Sequence, residues 1–173
     1  ESAKSKYKGI GFGNNQDKTS SYQLAKILRA HKIDVYETKR EKFKYYVPIK
    51  QKKSKLIKAM FDTQTEFKDS LFYDVSAWTF PLAFNVNYDF LKENFEGNKL
   101  FEKPVGKING FSNYGYLIKP HDYNIPAFIN YLQEKEIRLK SSSKSFKIKN
   151  NYFDYGSILI PVEGQSQKPE KIF

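Results

Sequence analysis

The 173-residue sequence has no cysteine, one tryptophan, one methionine and two histidines. Without cysteine there is no thiol nucleophile, no thiolate metal site and no disulfide. The lack of disulfides leaves an extracytoplasmic setting open. His31 and His121 lie far apart in sequence and neither has a companion at metal-ligand spacing, His31 and Asp34 matching a His-x-x-Glu pair only loosely. A zinc site needs three or four protein ligands or three plus water, so no metal ligand and no catalytic residue is assigned. No apolar run is long enough to cross a bilayer, and the polar start at residues 1–6 leads into no signal-peptide core. The first residue is Glu1, which leads to the expectation of a segment cut from a longer protein.

Acidic residues are also scarce, 19 against 30 basic ones, for a net charge of +11. Such an excess suits an anionic partner. The lysines are spread over nearly every segment instead of forming a block, so they read as a solvated surface and no nucleic-acid partner is expected. Hydrophobic residues make up 39% of the chain and aromatics 17%, enough for a real core at this length.

The chain is organised around residues 71–86, the longest apolar run, with Trp78 near its middle and Asp74 and Ser76 interrupting it. Residues 71–75 read as a buried strand, and the chain from Ser76 turns into a short helix that Pro81 opens or kinks. Before it, residues 7–12 form a strand candidate. A helix capped by Ser20 or Ser21 follows, with Leu24, Ile27, Leu28 and His31 at helical spacing. Residues 33–36 then make a second strand, and strand-helix-strand suggests a βαβ unit. Residues 42–49 read as a strand limited by Pro48, and Ser54 caps a helix that turns Leu56, Ile57, Met60 and Phe61 inward.

Further on, residues 88–91 read as a helical turn or two and 96–110 as a loop. Residues 114–118 are a strand. A helix starts at Asp122 or Asn124 with Pro126 in its first turn, and residues 137–140 are the next strand. Residues 144–148 and 157–162 form a hairpin or two edge strands. The expectation is one α/β domain over residues 1–162 with a polar tail or linker at 163–173. Its sheet is expected to be mostly parallel and covered by helices on both faces. In such sheets ligands gather beyond the carboxyl ends of the strands. That places Asn14 and Asn15, in the loop from Gly11 to Thr19, and Asp74, Ser76 and Trp78 as crevice-lining candidates.

Two motifs bear on chemistry. Gly9, Gly11 and Gly13 before a helix faintly resemble a phosphate-binding loop, but the spacing is wrong for a dinucleotide fingerprint and no Gly-Lys-Ser/Thr follows. With the lysine-rich surface, that loop would make the chain a stand-alone module for an anionic ligand. Ser76 sits where a strand-to-helix nucleophile would, yet no glycines flank it; Asp74 and Ser76 read as helix caps, Trp78 as core, and a serine hydrolase as the alternative.

Val47-Pro48-Ile49, the run Lys55-Leu56-Ile57-Lys58-Ala59-Met60-Phe61 and above all residues 69–83, centred on Tyr73-Asp74-Val75-Ser76-Ala77-Trp78, resemble the region that follows the catalytic domain in bacterial zinc carboxypeptidase-like proteins of the Bacteroidetes type. Gly115-Tyr116-Leu117-Ile118 and residues 126–132 and 153–162 are similar to the same region. The resemblance implies a flavodoxin-like three-layer sandwich, close to class I glutamine amidotransferase domains. Such amidotransferases need a cysteine and zinc carboxypeptidases a His-x-x-Glu pair with a distant histidine, neither of which this chain offers. The resemblance therefore implies a non-catalytic accessory domain that supports or positions substrate. It would partner the peptidase domain of its own parent, with zinc and peptide hydrolysis in that domain, and sit in the periplasm or at the cell surface.

Overall fold

The computed structural model describes residues 6–13, 17–63, 79–99, 102–108 and 110–167. The chain divides into two compact units, Glu1–Pro104 and Val105–Phe173. The expected strand at 71–75, the turn after it and the last residues of the expected tail lie outside the described residues.

The first unit runs β1 (Gly9–Phe12), α1 (Lys18–Ala30), β2 (Tyr36–Glu37), β3 (Tyr45–Pro48), α2 (Ser54–Phe61), α3 (Phe80–Ala83) and β4 (Tyr88–Leu91). Helix α1 begins earlier than Ser20 suggests. The Asp17 carboxylate accepts the Ser20 N–H at 2.8 Å and the Ser20 hydroxyl at 2.6 Å, which satisfies a donor the first turn leaves open. Past the His31 C-cap, Lys32 takes φ 60°, which lets Lys32 N–H reach the Arg29 carbonyl at 2.8 Å and Ile33 N–H the Leu28 carbonyl at 3.1 Å, a Schellman closure. Pro81 stands in the first turn of α3, where its missing N–H costs nothing.

The sheet order is β2-β3-β1-β4, and β3 and β4 both pair antiparallel with β1 while β2 pairs antiparallel with β3. Strands β1 and β2, joined by α1, thus run the same way with β3 between them. Strands β3 and β4, joined through α2, flank β1 in the same manner. This double split β-α-β is the ferredoxin-like topology. The mostly parallel, flavodoxin-like three-layer sandwich is accordingly corrected: among the described residues every strand pairing is antiparallel. One cause is local. Only seven residues separate β2 from β3, too few for a parallel crossover, so the two strands fold back on each other. The other is the period of residues 88–91: Tyr88 and Phe90 pack on the core while Asp89 is exposed, the alternation of a strand and not of the helical turn expected there.

Both long helices cover the same face of this sheet. Leu24, Ala25 and Leu28 of α1 and Ile57, Met60 and Phe61 of α2 join Ile10, Phe12, Tyr45 and Val47 in one buried cluster. Phe12 stacks on Tyr45 at 5.3 Å between ring centres and meets Phe61 at 5.8 Å; burial of each such side chain stabilises by about 1.5–3 kcal/mol. The opposite face carries Gly9 and Gly11, with the Tyr46 ring in the space above Gly9 and the Phe43 ring above Gly11. The segment after β4 returns across that face. Phe95 packs on Tyr46 at 5.3 Å, Arg40 caps Phe95 at 4.2 Å, and Asn98 pairs with Glu37 at the β2 edge.

The second unit holds β5 (Gly115–Ile118), α4 (Ile125–Glu134), β6 (Lys140–Ser141), β7 (Phe146–Ile148), β8 (Asn151–Phe153) and β9 (Ile158–Pro161). Its main sheet has the order β5-β9-β6, all antiparallel, and β7 and β8 form a separate hairpin. Here α4 ends as α1 does: Glu136 takes φ 58° and Ile137 N–H bonds the Leu132 carbonyl at 3.0 Å. Leu132, Ile137 and Ile160 are the buried centre, with Tyr116, Ile118 and Leu139 packed around them.

Candidate binding cleft

None of the crevice residues expected from sequence, Asn14, Asn15, Asp74, Ser76 and Trp78, lies among the described residues. Their surroundings are partly visible. At the start of α1 the position an anion would take beside the free N–H groups is held by the Asp17 carboxylate, which weighs against a phosphate there. His31 is the exposed C-cap of α1. His121 is exposed as well and meets Asp154 at 3.2 Å, Nε2 to Oδ2. Among the described residues no group of three or more His, Cys, Asp or Glu side chains could hold a metal.

A cleft of about 900 Å³ lies within the second unit, in the range of small-molecule and peptide sites. Its walls come from β5, from the second half of α4 and from Lys107, Ile108 and Ser112. Helix α4 presents Phe128 and Tyr131 to it, with Leu132 deeper and Ile137 and Ile160 behind. Phe128, Tyr131 and Ile108 keep 37%, 54% and 62% of their surface exposed, so a good part of the lining is uncovered apolar surface. Two cations, Lys107 and Lys135, also line it. Lys135 Nζ stands 5.7 Å from the centre of the Tyr131 ring, and among the described residues neither lysine is paired with a carboxylate.

All four residues of β5, an outer strand of its sheet, line this cleft. The register makes the edge specific. Val162 N–H bonds the Tyr114 carbonyl at 3.0 Å, and Tyr116 and Ile118 stand opposite Ile160 and Ile158. In an antiparallel ladder the bonded pairs alternate, so Tyr116 and Ile118 turn their backbone groups to β9, and Gly115 and Leu117 turn theirs outward. Pro161, opposite Gly115, has no N–H to offer and fits that alternation. The outward N–H of Gly115 is taken by the Ser112 hydroxyl at 3.1 Å. Ser112 N–H in turn bonds the Tyr116 hydroxyl at 3.1 Å, which ties the cleft's mouth to its wall.

Sequence reasoning placed β5 and α4 but not this cleft, since it looked for ligands at the ends of parallel strands. The signal that marks it is Gly-Tyr-Leu-Ile, a short apolar strand carrying no charge, followed by a helix with Phe128 and Tyr131 outside its buried stripe. No protein-family profile, no curated protein and no solved structure matches the chain.

Proposed function

We propose that this chain is a non-catalytic accessory module of a larger zinc carboxypeptidase-like protein, where it positions peptide substrate for a peptidase domain of the same parent. The observation that carries the reading is the cleft along β5, an apolar trough with two lysines at hand. Such a lining can hold a peptide. The resemblance centred on residues 73–78 supplies the parent. By that resemblance, zinc and bond cleavage belong to that parent's catalytic domain. By the same resemblance the protein works in the periplasm or at the cell surface.

The test compares the full-length parent with a version lacking this chain, and with this chain alone, on a panel of peptides with added zinc. The reading expects release of C-terminal residues by the parent, none by this chain alone, and a several-fold rise in KM when the chain is removed. Turnover by this chain alone, or unchanged KM and substrate range on its removal, overturns it.

A further inference from the structure

We propose that the outer edge of β5 is a docking rail for an extended peptide, which adds to the β5-β9-β6 sheet as a further strand and turns acidic side chains to Lys107 and Lys135. The proposal rests on the accessory reading for the source of the peptide. A module that serves a C-terminal-cutting site elsewhere must grip an internal stretch and leave the peptide's end free.

The geometry supplies each half of the recognition. The Gly115 carbonyl and the N–H and carbonyl of Leu117 face away from β9, on residues that line the cleft. Among the described residues no backbone bond to the Leu117 N–H or carbonyl is present on that side. That is the pattern that receives an added strand, and an uncharged edge of this kind lacks the usual protection against pairing. Because side chains alternate along an extended peptide, the set turned to α4 would lie against Phe128, Tyr131 and Ile108, which are exposed in the free chain, and beside Lys135, whose ammonium stands over the Tyr131 ring. Lys107 and Lys135 are the cleft's cations, and the cleft has no carboxylate in its lining, so the complementary peptide is acidic as well as apolar.

The test uses the full chain and a peptide blocked at both ends, acetyl-Thr-Val-Thr-Asp-Thr-Val-Thr-Glu-Thr-amide, which puts its valines and acids on one face, labelled for fluorescence anisotropy. Two further peptides carry N-methyl groups on one or the other set of alternate residues, and a fourth replaces Asp and Glu by Asn and Gln. Strand addition predicts that one methylated set loses at least tenfold in affinity while the other binds like the unmethylated peptide. The neutral peptide, and the Lys107→Gln and Lys135→Gln variants, should bind several-fold more weakly with a shallower salt dependence. Leu117→Pro removes an N–H that β9 does not use, a change an edge strand tolerates, and should cost at least tenfold with the circular dichroism spectrum unchanged. If that variant does not fold, the methylated pair still decides.

Equal binding of both methylated peptides, or no binding of the unmethylated peptide, overturns the proposal. So does self-association of the chain that Leu117→Pro abolishes, which would assign the edge to a second copy. Peptide binding that survives while removal of the chain leaves the parent's KM unchanged overturns the accessory reading alone; the reverse result overturns the rail alone.

Discussion

The ring of Tyr46 occupies the space that a side chain on Gly9 would need. The two sit diagonally across the β1–β3 ladder, in which Gly11 is the residue directly opposite Tyr46. The Tyr46 hydroxyl reaches on to Asn94 Oδ1 at 3.2 Å, so this contact also seats the segment that returns across the Gly9 face of the first sheet. Gly9→Ala forces the ring away and should destabilise by about 1–3 kcal/mol, as overpacking of a filled site does. Urea unfolding checks this, and the midpoint should fall without a change of slope. Gly11→Ala, with the Phe43 ring 2.6 Å from the new carbon, should behave alike.

Alkaline pH should weaken the first unit through Tyr45. The residue is 1% exposed, and burial above all, with the Glu37 carboxylate adding to it, holds its phenol well above the ordinary value of 10.0. The unfolded chain ionises near that ordinary value and the folded chain only later. The contribution is therefore intact below about pH 10 and lost as the pH rises from there through the folded value, by up to about 1.4 kcal/mol per pH unit. Tyr45→Phe removes this loss. Unfolding midpoints followed from pH 8 to 11 should fall less steeply in the variant than in the wild type, and parallel curves would contradict the assignment.

Lys32 and Glu136 both close a helix in the left-handed region, at φ 60° and 58°, where a side chain is strained and glycine is not. Lys32→Gly and Glu136→Gly should each stabilise by about 0.5–1 kcal/mol, read as a higher melting temperature.

Asp17→Ala removes the side chain that accepts from Ser20 and should cost about 1 kcal/mol. Asp17→Ser, which keeps an acceptor, should recover most of that. Equal losses in both would show that the cap bond contributes little.

These positions also show how far the sequence could be read. The helices were legible because their apolar spacing is regular: Leu24 and Leu28, and Ile57 and Phe61, are where a 3.6-residue period puts a buried face. The strands at 9–12, 45–48 and 115–118 stood out by β-branched and aromatic content. What could not be read was pairing. Tyr36-Glu37 is only two residues long, and nothing local says that β3 inserts between β1 and β2; that is decided by burying Ile10, Phe12, Tyr45 and Val47 under one layer of helices. The run at 88–91 misleads because four residues with three apolar side chains satisfy a helical turn and a strand alike. The cleft was hidden for a related reason. Its specificity lies in which backbone groups of Gly115 and Leu117 face outward, a property of register that side-chain chemistry does not announce.

The most direct measurement is hydrogen exchange at the amides of β5, by NMR, with and without the blocked acidic peptide. The account predicts slow exchange at Tyr116 and Ile118 in the free chain, where β9 holds them, and fast exchange at Leu117, which becomes slow when the peptide is added. A Leu117 amide that is already protected in the free chain, or that stays fast with the peptide bound, would contradict it.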